Sequence, residues 1–153
     1  MPWRPNWGSW RKIPNMAWII DTDLFVEGER GNPAFLHWLQ GADLTATADV
    51  VRGEFLLGAH AVADARIRQR ALKFYADRVA RLPSFSTEPA DFVKAAALAG
   101  EARRQGRGKP GLVDGLLAAI AMRVGATIAT RNLKDFTGMG CPCANPLLDL
   151  RLE

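Results

Sequence analysis

Cysteine is almost missing from this chain. Two thiols, Cys141 and Cys143, stand in 153 residues, too few for a disulfide framework. One residue apart in CPC, they also cannot close a tetrahedral zinc site by themselves, and a loop role is expected for them. Histidine is as scarce. His37 and His60 both read as helix-surface or core residues. No apolar run approaches the roughly 18 residues that a membrane span requires. Residues 1–15, MPWRPNWGSWRKIPN, lack the continuous apolar stretch of a secretory signal. The expectation is a reduced, cytoplasmic protein with no membrane partner. With 48% hydrophobic and 24% charged residues, the composition is that of one globular domain and not of a disordered or fibrous chain.

Excess charge is also small. The chain carries +4, but Arg4, Arg11 and Lys12 supply three of these charges, leaving +1 for residues 16–153. Bulk charge therefore says little about nucleic acid, and local placement has to carry that argument. Residues 1–15 show no period. They are expected to form a poorly ordered extension without a catalytic part, with Trp3, Trp7 and Trp10 free to pack on a surface or partner. The functional domain is expected over 16–153.

The remainder alternates between two patterns. AWII at 17–20 predicts a buried strand. PAFLHWLQ at 33–40 predicts a helix capped by Asn32, with Pro33 at its first position. LTATA at 44–48 predicts a short strand, after which Asp49 is expected to cap a helix, VVRGEFLLGAHA. An Arg-rich amphipathic pattern fills 63–81, and LPSF at 82–85 fits a short strand or a loop. Thr87 is expected to cap a helix beginning EPADFVKAAALAG. A basic, Gly-rich loop, GRGKPG, occupies 106–111. LVDGLLAAIAMRVG is apolar nearly all round and predicts a buried helix. ATIAT at 126–130 is the clearest later strand, RNLKDF reads as a polar turn, and the tail NPLLDLRLE is weakly patterned. Strands alternating with helices imply a parallel sheet covered on both faces.

Four acids sit in apart segments of apolar character. Asp21 ends the first strand in WIIDTDLFVE, and ligands in open parallel sheets bind beyond the carboxyl ends of strands. Asp135 lies just past the strand at 126–130. Asp114 opens the buried helix, where capping alone could explain it. Glu54 sits in VVRGEFLL, with Val50, Val51 and Leu57 a turn away on either side. If the fold gathers these acids, their repulsion must be neutralised. Mg²⁺ or Mn²⁺ would do so, because both favour oxygen ligands. An ion held this way supports phosphodiester chemistry. Each acid also has a plainer role available: strand-end solvation, a helix salt bridge, a cap and a turn, in the order Asp21, Glu54, Asp114, Asp135.

Taken in order, IIDTDLF at 19–25, ATADVVRGEFLLGA at 46–59 and GKPGLVDGLLAAIAMRVGATIATRNLKDF at 108–136 resemble the PIN-domain ribonucleases. The resemblance is closest to the VapC-like toxins of bacterial toxin–antitoxin pairs, and it covers about residues 17–145. It implies a PIN-like (flavodoxin-like) three-layer α/β sandwich. It also implies a Mg²⁺- or Mn²⁺-dependent endoribonuclease, silenced by a small antitoxin, commonly a homodimer, and reaching operator DNA only through the antitoxin. Asp21, Glu54 and Asp114 match the family's metal acids. The fourth acid falls either directly after the T-R pair, where Asn132 stands, or three residues later at Asp135. Asp135 is taken as the acid and Asn132 as its oxygen or hydrogen-bond partner. Thr130 matches a hydroxyl residue that shapes the site. Asp23 replaces a more usual Asn and adds a charge at its mouth. RNA needs a cationic track. Arg103, Arg104, Arg107 and Lys109, upstream of Asp114, and Arg131, after the last clear strand, are the candidates. Arg66, Arg68 and Arg70 read as an ordinary solvated face.

Two other readings share some of these features. DTD at 21–23 matches the start of the haloacid-dehalogenase-like phosphatase motif. However, Phe25 stands where Thr or Val is typical, and no suitable late Lys with paired acids follows. A PIN-like scaffold without catalysis, binding RNA or protein, would be expected to lose one or more acids, and all four are present. GRGKPG lacks the G-x-x-x-x-G-K-S/T pattern of a phosphate loop. Trp38, Leu39, Phe55, Leu56, Leu72 and Phe74 are candidates for core packing or for a groove that takes an amphipathic antitoxin helix.

Overall fold

A computed structural model describes residues 17–149; the extension expected at 1–15 lies outside them. The elements run β1 (Trp18–Ile20), α1 (Thr22–Glu29), α2 (Pro33–Gly41), β2 (Thr45–Ala48), α3 (Asp49–Ala61), α4 (Ala65–Phe74), β3 (Ser84–Phe85), α5 (Pro89–Arg104), α6 (Leu112–Val124), β4 (Thr127–Ala129), α7 (Leu133–Gly138), β5 (Cys143–Ala144) and α8 (Pro146–Asp149). The five strands form one sheet in the order β3-β2-β1-β4-β5, and every pair is parallel. Neighbours in a strand point to opposite faces. Ile19 and Ile20 are both fully buried, as are Ile128 and Ala129, so both faces of the sheet are covered. This is the layered α/β sandwich expected.

The order of strands decides where a ligand can go. The chain steps from β1 to β2 to β3 in one direction, then crosses back to add β4 and β5 on the other side of β1. Crossovers of parallel strands are right-handed, so the connections leaving β1 and β4 diverge to opposite faces. In open parallel sheets, ligands bind at such a switch point, beyond the carboxyl ends of these two strands.

Local chemistry differs from the sequence reading at several ends. Asp49 is not the cap of α3; Ala48 holds that position and Asp49 is the first helical residue. The Asp49 carboxylate instead accepts the Thr87 N–H at 2.8 Å and the Thr87 hydroxyl at 2.6 Å. Thr87, occupied there, does not cap α5, and Glu88 takes that place, its N–H bonded to Asp91 at 2.8 Å. The Arg-rich amphipathic pattern over 63–81 forms α4, which closes at Phe74 and continues as a π turn, Tyr75–Val79, where Phe55 stacks on Tyr75. RNLKDF is not only a turn, because α7 begins at Leu133 and buries Phe136. The helix α1 and the edge strand β5, in which Cys143 lies, were not anticipated. Trp38, Leu39, Leu72 and Phe74 pack against the core, and Phe55 is buried in it.

Helices α5 and α6 meet at the closest backbone approach that matters for the site. Gly115 follows Asp114, and a Cβ there would lie 2.7 Å from the Ala95 carbonyl oxygen. Glycine lets α6 press on α5 and so fixes the first turn that carries Asp114. Gly115→Ala is expected to destabilise the protein by about 1–3 kcal/mol through overpacking. A lower denaturant midpoint at unchanged slope would show it; an unchanged midpoint would contradict the contact.

Candidate active site

The site is built outward from the β1–β4 pair. Their register sets Ile20 beside Ala129, so the next residues, Asp21 and Thr130, emerge together. The Asp21 N–H bonds the Ala129 carbonyl at 3.0 Å. Asp21 is also the N-cap of α1, its Oδ1 accepting the Thr22 N–H at 2.8 Å. Its Oδ2 accepts the Thr130 hydroxyl at 2.8 Å. One carboxylate thus ends a strand, starts a helix and ties β1 to β4. It is only 7% exposed.

Asp23 shares the same hydroxyl. Its Oδ2 accepts from Thr130 Oγ1 at 3.2 Å and from the Arg131 N–H at 2.9 Å. Its Oδ1 is buried with no hydrogen-bond partner, and so is the Thr22 hydroxyl. A buried oxygen without a donor is costly, and a cation or a bound water would relieve it. Asp114, in the first turn of α6, accepts the Gly111 N–H at 3.0 Å, so the capping contact considered for it is present. Asp135, in the first turn of α7, accepts the Lys109 N–H at 2.9 Å and the Asn132 side-chain amide at 3.0 Å. Asn132 in turn donates its N–H to Thr130 Oγ1 at 2.9 Å.

Electrostatics ties these groups into one site. Burial, the nearby Asp23 charge and, more weakly, Asp114 push the Asp21 carboxyl from 3.8 to about 7, against the opposing bonds from Thr130 and Thr22. Asp114 is pushed up by burial and by the charges of Asp135 and Glu54, while the Gly111 N–H and Arg103 oppose the rise. Asp23 is raised mainly by burial, against its bonds from Arg131 and Thr130. Asp21, Asp23, Glu54, Asp114 and Asp135 therefore share one field. Glu54 departs from expectation in one respect. It is exposed, not set in apolar surroundings, because α3 turns Val51 and Phe55 to the core and leaves position 54 on the open side. It makes no hydrogen bond or ion pair among the described residues, so its side chain is free to reach.

The donor set is made of carboxylate oxygens with hydroxyls beside them, which suits a hard cation. Among the described residues, no three His, Cys, Asp or Glu side chains are close enough to hold an ion as they stand. His37 and His60 are exposed on helices. Among the cations, Arg104, Arg107, Lys109 and Arg131 are all exposed. Arg131 pairs with Glu27, Arg103 donates to the Pro110 carbonyl at 2.6 Å, and Arg107 lies 3.9 Å from Glu101.

The profile of the PIN domain family matches residues 18–138. The chain belongs to the PIN domain family. Among solved structures, it is similar to the FitAcB structure from Neisseria gonorrhoeae, with a TM-score of 0.72 and 20% identity, over 84% of this chain and 97% of that one. The VapBC2 structure from Rickettsia felis, bound to a DNA fragment from their promoter, matches with a TM-score of 0.68 and 19% identity, over 84% and 98%. A member of the VapBC family of toxin-antitoxin systems, VapBC-5 from Mycobacterium tuberculosis, matches with a TM-score of 0.63 and 23% identity, over 81% and 90%. None of the curated proteins matches the chain. The PIN-like fold expected from the sequence is thereby established, and no helix among the described residues is long and apolar enough to cross a membrane.

What the sequence did not reveal is the scaffolding of the acids. Gly111, whose N–H holds Asp114, and Lys109, whose N–H holds Asp135, act through their backbone, which side-chain identity does not report. The glycines of GRGKPG were a signal, but of close packing and not of phosphate cradling.

The raised Asp21 value has a consequence for stability. The folded carboxyl titrates above the unfolded one, so between about pH 4 and pH 7 the folded state holds a proton that the unfolded state lacks. Stability then falls as pH rises through that window, and the penalty is complete above it. In EDTA, Asp21→Asn is expected to melt higher than the parent at about pH 8, with the gap closing towards about pH 4. Thermal unfolding followed by circular dichroism measures this; a gap independent of pH would contradict it.

Proposed function

We propose that this protein is a metal-dependent endoribonuclease, the toxin of a toxin–antitoxin pair. What supports this reading is the PIN domain match together with Asp21 at the carboxyl end of β1, bonded to Thr130 of β4, and the charges of Asp21 and Glu54 each coupled to Asp114. In this reading those three acids hold Mg²⁺ or Mn²⁺. When bound, such an ion would activate a water as nucleophile and neutralise charge at the phosphoryl group.

The chain's own residues do the rest. Thr130 and the Thr22 N–H hold the Asp21 carboxylate in one orientation, and the Gly111 N–H does the same for Asp114. Such preorganisation keeps reorganisation out of the reaction step. Glu54, exposed and without a hydrogen bond or ion pair among the described residues, would be free to reach such an ion. Arg104, Arg107, Lys109 and Arg131 supply positive charge for the RNA backbone. Thr130 also spaces Asp21 from Asp23 by donating to both.

The reading carries partners as well. FitAcB and the VapBC complexes match over nearly their whole length, and a small antitoxin is the partner proposed here, with operator DNA reached through it. A groove of about 370 Å³ between α1, α3 and α4 would receive an apolar antitoxin segment. It is lined by Thr22, Val26, Glu54, Phe55, Ala59 and Ile67, among others. Of the six groove candidates named from the sequence, only Phe55 lines it. A second copy of the chain would cover Leu57, Phe92 and Val93, apolar side chains exposed on α3 and α5. The cytoplasm, where RNA and such partners meet, is the proposed location.

Cleavage of total tRNA by the purified chain tests the activity. It is expected to require Mg²⁺ or Mn²⁺, to stop in EDTA, and to be lost in a folded Asp114→Asn variant by at least about a hundredfold. A folded variant with full activity would overturn the site assignment. A protein freed of partner and inactive in every metal would favour the non-catalytic scaffold.

A further inference from the structure

The segment GRGKPG, between α5 and α6, is tied down more than a loop needs to be. Exposure alternates along it: Arg107 and Lys109 are exposed, while Gly108 and Pro110 are buried. Gly108 has φ +91°, and a Cβ on it would lie 2.4 Å from Asp135 Oδ1. Gly138, in α7, leaves room for the Arg107 carbonyl, which a Cβ there would approach to 1.9 Å. The Lys109 N–H bonds Asp135 at 2.9 Å, Pro110 accepts from Arg103 at 2.6 Å, and the Gly111 N–H bonds Asp114 at 3.0 Å. A strap of five residues is thus held by hydrogen bonds at 109, 110 and 111 and packed closely against α7 at 107 and 108, while the side chains of its two cations stay exposed.

Asp135 is committed to this strap. One oxygen accepts from Lys109 and the other from Asn132. Its charge is felt at Asp114, so the strap runs along the rim of the acid site. Lys109 has no ion-pair partner among the described residues. The contact of Arg107 with Glu101, at 3.9 Å and half exposed, is of a kind that contributes little and that a phosphate would displace.

We propose that Asp135 is a positioning residue which, with Gly108, locks the strap so that Arg107 and Lys109 meet backbone phosphates of single-stranded RNA next to the bond held at Asp21 and Asp114. This rests on the endoribonuclease reading and assigns Asp135 to substrate placement. With the strap's backbone already fixed, only the two side chains, and not the loop, have freedom to lose on binding.

The test uses the full chain carrying Asp114→Asn, so that RNA stays intact, and a single-stranded RNA oligonucleotide of mixed sequence titrated at several salt concentrations. Lys109→Gln is expected to weaken binding and to flatten the log–log salt dependence by roughly 0.7. Gly108→Ala, which keeps both cations, is expected to give the same flattening and a several-fold loss of affinity, and to add little on top of Lys109→Gln. In the parent background, Asp135→Ala is expected to raise KM several-fold with kcat little changed. Asp135→Asn, whose amide oxygen still accepts from Lys109, is expected to restore KM. A folded Gly108→Ala protein with unchanged affinity and slope would overturn the proposal. So would Asp135→Asn losing kcat as Asp114→Asn does, with a raised Mn²⁺ requirement, which would make Asp135 an ion ligand. If Gly108→Ala does not fold, the two Asp135 variants decide. A parent protein that binds RNA through the strap but never cleaves it would leave the strap standing and sink the nuclease reading.

Discussion

A carboxylate buried between two diverging strands is an expensive object, and much of this molecule is arranged around it. Asp21 sits where β1 gives way to α1, and the register with β4 brings Thr130 against it. The chain leaves β1 and β4 toward opposite faces, so backbone cannot fill the gap between them. Side chains fill it instead. Asp21 caps a helix, bridges a strand pair and lies at the switch point. Removing it would loosen the sheet's central junction as well as the site.

The other acids add charge where charge is already unfavourable. Burial and neighbouring carboxylates push Asp21 and Asp114 upward. Caps and turns account for the hydrogen bonds that several of these acids make, but they do not call for so much like charge side by side. Stabilising the fold would favour fewer charges. Perturbed carboxylates clustered together point to a function that needs them ionised together, and a divalent cation is the counter-charge that fits an oxygen-only set.

Much of this was legible in the sequence, for definable reasons. AWII and ATIAT are apolar runs bounded by polar residues, and both became neighbouring central strands. Asp21 was marked because it follows such a run directly, and Thr130 because the resemblance pointed to it. The apolar helix after Asp114 was legible because nearly every residue of it is apolar. The failures have physical causes too. Asp49 and Thr87 each look like a helix cap, but they bond to each other across α3 and α5, a tertiary contact that overrides the local preference. Glu54 was judged by its apolar neighbours, yet it takes the solvent side of α3. The helix α1 was hidden because its first turn, TDLF, continues the apolar strand before it. The two residues of β5 are too few to show a period. The strap's anchoring was illegible because backbone amides make it.

The central claim is that these carboxylates form one cation site. Titration of the purified protein with Mn²⁺, read by calorimetry beside Asp21→Asn, tests this most directly. The account predicts saturable binding in the parent, with a higher melting temperature in Mn²⁺, and loss of both in the variant. No binding in the parent, or equal binding in Asp21→Asn, would contradict it.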